Sequence, residues 1–82
     1  MTFRQERLII GDGGYASMGE NLLVTNGCMA DYLIKAFVEK GYTVMTEDEY
    51  LTSIAAEGWV LHTANYCVLG KQEAHYFLFV KE

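Results

Sequence analysis

The chain has 82 residues, 51% of them hydrophobic and 21% charged, and eleven acids against six bases give a formal charge of -5. That apolar content excludes intrinsic disorder, which needs few apolar residues and dense charge, and the length accommodates one domain, residues 1–82. The bases Arg4, Arg7, Lys35, Lys40, Lys71 and Lys81 are scattered, so no run of neighbours supplies the positive patch that nucleic acid or an anionic membrane surface requires.

Residues 1–10 carry Arg4, Glu6 and Arg7 and lack the apolar core of a signal peptide. Phe3–Ile10 reads as a strand ending in Leu8-Ile9-Ile10. Gly11–Asn21 contains four glycines and reads as a loop. Leu22–Thr25 is a short strand candidate, and Asn26-Gly27 a favoured turn because both residues tolerate positive φ. Two periods fit residues 28–40. With period 2, Cys28, Ala30, Tyr32, Ile34, Ala36 and Val38 alternate with charges; with period 3.6, Met29, Tyr32, Leu33, Ala36 and Phe37 form one stripe. Gly41 stands where a helix-ending glycine belongs, with apolar Tyr42 after it, and this end signal favours the helix.

Tyr42–Met45 follows as a strand. Thr46 with Glu49 three residues later forms a capping box, and Glu47, Asp48 and Glu49 suit the positive end of a helix dipole. That helix runs through Leu51, Ile54 and Ala55 to Glu57 and is closed by Gly58. Trp59–Val68 and Ala74–Lys81 read as two strands of a hairpin turning within Leu69–Glu73. Phe77 and Phe79 occupy one face of the last strand and Tyr76, Leu78 and Val80 the other. A single helical layer covers only one of those faces, so the other calls for a second chain or the glycine-rich loop. The expected fold is α+β: one small sheet, two helices packed on one face, and a C-terminal antiparallel β-hairpin. Both halves also read acid-Tyr-Leu, helix, Gly, aromatic, strand, Thr (from Asp31 and from Glu49), which suggests two helix-Gly-strand units on one sheet.

The stretch from Tyr50-Leu51 to Ala56-Glu57-Gly58-Trp59-Val60-Leu61, followed by a hairpin ending in Tyr76-Phe77-Leu78-Phe79-Val80-Lys81, resembles a family of short prokaryotic and phage proteins of unknown function. The resemblance covers residues 42–82. It implies a small helix-on-sheet interaction domain and brings no catalytic residues.

Motifs with chemical content are weak. Gly11-x-Gly13-x-x-Ala16 matches a dinucleotide fingerprint in form, but Ser17-Met18-Gly19-Glu20-Asn21 does not start the helix that would hold a pyrophosphate. In the hairpin, His75 falls opposite Tyr66 and His62 opposite Phe79, too far apart for one metal. Cys67 points to the other face, so no Cys–His dyad closes there. Cys28 and Cys67 make no disulfide framework and read as buried, reduced thiols of a cytoplasmic chain. No enzyme activity, cofactor or metal is therefore expected. The aromatic content, 13%, and the acidic stretch point to a non-catalytic protein-binding module. Tyr15 and Met18 on the loop, with Glu47, Asp48, Glu49 and Tyr50, are the candidate partner-binding residues, and the expected partner is a protein with a basic surface. A homodimer is also expected. By composition such chains resemble phage-encoded inhibitors that occupy a basic, nucleic-acid-binding site on a host protein. The alternative is a small-molecule or minor enzymatic domain with a pocket between the glycine-rich loop and the sheet, near Trp59 and His62.

Overall fold

The computed structural model describes residues 1–82. Its elements are β1 (Thr2–Ile10), β2 (Tyr15–Ser17), β3 (Leu22–Thr25), α1 (Asp31–Glu39), β4 (Thr43–Thr46), α2 (Glu47–Ala55), β5 (Val60–Leu69) and β6 (Gln72–Lys81). The α+β class, the two helices and the C-terminal hairpin follow the sequence reading. The strands, however, divide between two three-stranded sheets, β1-β6-β5 and β2-β3-β4.

Two features of the sequence impose the division. The segment Gly11–Asn21 is not a plain loop, because Tyr15–Ser17 within it pairs antiparallel with Leu23–Thr25. The chain reaches that strand through a tight turn in which the Gly14 N–H donates to the Gly11 carbonyl at 3.0 Å, with Gly14 at φ +80°. β1 meanwhile pairs along its whole length with β6, from Thr2–Lys81 to Ile10–Glu73. The early strands after the turn are left to build a second sheet, in which β3 and β4 run parallel and α1 is the crossover.

The helices consequently do not share one face. Strand alternation and register place Ala16, Val24 and Met45 in one row across the second sheet. This row packs into the common core with Leu8, Ile10, Phe77 and Phe79 of the first sheet and with Tyr50 and Ile54 of α2. Tyr15 faces the opposite way and meets the α1 residue Phe37 edge-on, ring centroids 5.4 Å apart. The second sheet is thus sandwiched between α1 and α2, and the buried face of the first sheet lies against α2.

Helix ends obey the local signals. Gly41 adopts φ +93°; its N–H donates to the Val38 carbonyl and that of Tyr42 to the Phe37 carbonyl, both at 3.0 Å, a Schellman closure. The Phe37 and Tyr42 rings, 5.1 Å apart, supply its apolar contact. At the start of α2, the Thr46 hydroxyl accepts from the Glu49 N–H at 3.2 Å and the Glu49 carboxylate accepts from the Thr46 N–H at 3.1 Å, the reciprocal capping box. Gly58 repeats the positive φ of Gly41, +94°, so the two halves share a helix-ending grammar. The strands that follow enter different sheets, and the repeat goes no further.

The outer face of the first sheet carries Phe3, Ile9 and Tyr76, all exposed, and no element covers it. Every residue of β5 is exposed as well. The glycine-rich segment, occupied in building β2, leaves that face open.

Candidate functional site

The largest concavity, a cleft of about 750 Å3, opens where β3 and β4 end together, between the two sheets. Parallel strands leave such a crevice beyond their carboxyl ends, because the chain departs from neighbouring strands in different directions. One wall comes from Thr25-Asn26-Gly27-Cys28 and from Thr46-Glu47-Asp48; the other comes from Tyr66, Glu73 and His75 of the hairpin.

A hydrogen-bonded network shapes the floor. The His75 Nδ1–H donates to the Glu47 carboxylate at 2.9 Å, and His75 Nε2 lies 3.6 Å from a Glu73 oxygen. The Asn26 side-chain amide donates to the same Glu73 oxygen at 3.3 Å. The first residue of α2 and the loop after β3 are thereby tied to β6. The Asn26 turn is fixed in its own right. Its side-chain oxygen accepts from the Cys28 N–H at 2.9 Å, and the Thr25 hydroxyl donates to the Gly14 carbonyl at 2.8 Å, a side-chain-stabilised turn that presents backbone to the cleft. Tyr66 stands edge-on to His75, centroids 4.6 Å apart, and the residue as a whole is 63% exposed.

The sequence-derived candidates fall into three groups. Glu47 and Asp48 line the cleft; Glu49 is exposed beside it and engaged in the capping box. Tyr15 is half-buried against Phe37, and Met18 packs beside the common core, so neither stands at an exposed loop tip as expected. The cause is the β2–β3 pairing, which draws that segment into the sheet. Tyr50 is 6% exposed and lies in the core, because the first turn of α2 directs it inward beside Ile54 at the i+4 position. A ring in that place has no surface to offer a partner.

Tyr50 has a structural role instead. Its hydroxyl donates to Glu6 at 2.9 Å, and the same carboxylate accepts from Arg4 Nε at 2.7 Å, tying α2 to β1. The hydrogen bond to Glu6 raises the pKa of the always-charged Arg4 guanidinium. Burial, helped by the Glu6 bond and charge, pushes the Tyr50 phenol up to about 12. A raised folded-state pKa keeps its stabilisation below the unfolded value near 10 and loses it as the pH climbs from there to the folded value. A fall in stability of up to ~3 kcal/mol between pH ~10 and ~12 is the expected outcome. Tyr50→Phe should shrink that loss while lowering stability at neutral pH by ~1 kcal/mol, the worth of one hydrogen bond. Denaturant melts at several pH values check both.

The place proposed for a pocket near Trp59 is filled. Arg4 and Lys81 lie over the Trp59 ring at 5.7 and 5.1 Å, and Trp59 packs against the core. A smaller cavity of about 280 Å3 does adjoin Gly11–Gly14, against the β5–β6 turn. In the hairpin, His75 pairs with Tyr66, as expected; opposite Phe79, however, stands Leu61, because the register shifts between Leu61 and Thr63 around His62. Both cysteines are exposed rather than buried: Cys67 lies on the edge strand and Cys28 on the loop after β3. Cys28 and His75 line the same cleft, a juxtaposition across 47 residues that spacing alone does not reveal. Both ring nitrogens of His75 face carboxylates, which leaves none directed to a thiol. Sequence reasoning missed His75, Glu73, Asn26 and Tyr66. The available signal was Glu73-x-His75 on one strand face opposite Tyr66, which marks a polar patch inside an otherwise aromatic strand.

No three His, Cys, Asp or Glu side chains converge as a metal ion needs, and no helix is long and apolar enough to cross a membrane. Comparison with known proteins finds no matching family model, no matching curated protein and no matching solved structure.

Proposed function

We propose that this protein is a non-catalytic protein-binding module whose cleft receives basic side chains of a protein partner. The observation that carries the reading is the lining itself: Glu47, Asp48 and Glu73 stand around the cleft, and no lysine or arginine does. Clefts lined by one sign of charge concentrate the opposite sign. Tyr66 adds an exposed ring face, which attracts a guanidinium or ammonium group by ~1 kcal/mol. The lining is mostly polar, unlike the apolar pockets that enclose small molecules; this favours a protein's side chains over a buried ligand.

A finer reading follows from the charge. A basic surface that accepts this cleft is of the kind that also holds nucleic acid. In the proposed inhibitor role the protein would occupy such a site on a host protein and exclude nucleic acid from it.

The test is calorimetric titration with an arginine-rich peptide and, as control, a glutamate-rich one. Saturable binding of the basic peptide alone, weakening steadily as salt is raised, is the expected result. Equal binding of both peptides, or none of either at low salt, would overturn the reading.

A further inference from the structure

The edge strand β5 offers a second surface, which meets the cleft at Tyr66. β5 hydrogen-bonds on one side only, to β6, and ends the sheet on the other. An edge of this kind presents a row of unpaired N–H and C=O groups, and natural proteins guard such rows with lysine, proline, short length or inward-pointing charges. None of these guards is present. β5 is ten residues long, VLHTANYCVL, without a charge or a proline. The nearest charged residues in sequence are Glu57 and Lys71, outside both ends. Val60, Tyr66, Val68 and Leu69 are each more than half exposed. The one irregularity is the register shift between Leu61 and Thr63, which twists the first part of the strand and leaves Thr63–Leu69 regular.

We propose that β5 is a homodimer interface, in which Thr63–Leu69 pairs antiparallel with the same segment of a second copy. Three arguments select a second copy over another protein's strand. The first is charge: copies carrying -5 each repel, and the charge-free strand is where they approach with least repulsion. The second is symmetry. A two-fold axis normal to the sheet keeps like faces on one side, so directly opposed residues must share a face. The register that pairs the whole regular segment is centred on Tyr66: Tyr66 opposite Tyr66, Ala64 opposite Val68, Asn65 opposite Cys67 and Thr63 opposite Leu69. The third is chemistry: an aromatic pair at the axis and no charge opposed to a charge are favourable cross-strand pairings. The result is a continuous six-stranded sheet in which the exposed outer faces of both copies adjoin. The Tyr66 rings remain on the inner face, so two acidic clefts flank the axis. Tyr66 is shared by the axis and the clefts, whereas the acidic cleft residues Glu47, Asp48 and Glu73 lie outside the paired segment.

Light scattering on the reduced full chain reads the mass directly. Twice the chain mass at micromolar concentration is expected, and Thr63→Lys with Asn65→Lys, which places lysines along the exposed edge, should give a monomer that retains the wild-type circular dichroism. In a Cys28→Ser background, Asn65→Cys places a thiol opposite the second copy's Cys67, and mild oxidation should give a covalent dimer. That variant reads the register even if the lysine variant fails to fold. A monomeric wild type would overturn the proposal and leave the edge to a strand of another protein. A folded lysine variant that stays dimeric would overturn it in favour of the outer sheet face, and failure of the cysteine variant to cross-link would overturn the register.

Discussion

Gly14→Ala should destabilise the protein by ~3 kcal/mol or more, a large part of the ~5–10 kcal/mol available to a domain of this size. Two costs combine. At φ +80° an alanine side chain is disfavoured by ~1–2 kcal/mol. In addition, a Cβ built on Gly14 would lie 2.9 Å from both the Cys28 carbonyl carbon and the Met29 nitrogen. These are backbone atoms, which cannot rotate away as a flexible side chain can. The Gly14 carbonyl also accepts from the Thr25 hydroxyl and from the Asn26 N–H at 3.1 Å, so relief of the clash by backbone movement would disturb the loop that walls the cleft. Gly11→Ala is the control, since nothing lies within 4 Å of its added Cβ and its φ is not positive. Urea melts of the two variants should differ clearly in midpoint with similar slopes. Equal midpoints would show that the turn relaxes without cost.

Asp48→Lys combined with Glu73→Gln should weaken binding of a basic peptide about 100-fold, the effect of ~3 kcal/mol. Removing or reversing a carboxylate a few ångströms from a bound cation costs ~1 kcal/mol per charge in a solvent-accessible cleft, and this pair changes three units of charge. The two positions leave the fold's own contacts nearly intact. Asp48 is exposed and takes part in no side-chain hydrogen bond, and a glutamine at 73 still accepts from Asn26. Glu47 and Glu49 are poorer choices, because the first accepts from His75 and the second closes the capping box. Titration calorimetry at low salt measures the change; an unaltered affinity would remove the cleft from the binding surface.

How much of this was legible in the sequence depends on the range of the interaction. The α2 capping box, the Gly41 closure and the hairpin turn within Leu69–Glu73 are decided by residues within a few positions of each other, and they stand as read. The second sheet was not legible. Its founding strand is three residues inside a glycine-rich segment, and its pairing with Leu23–Thr25 is a matter of packing rather than propensity. Tyr50 read as a surface residue because aromatic enrichment does not tell interface from core; the rotation of α2 decides it. The acids at 47 and 48 were found through the helix-dipole pattern. Their neighbours Glu73 and His75 arrive from a strand far along the chain, and only the fold places them in the same cleft.

The most direct test of the central claim is a chemical-shift titration of isotope-labelled protein with the arginine-rich peptide. The account predicts progressive shifts at Asn26, Glu47, Asp48, Tyr66, Glu73 and His75, with the Trp59 and Phe37 regions unmoved. Shifts confined to the Gly11–Asn21 segment or to the outer face at Phe3 and Ile9, with the cleft silent, would contradict it.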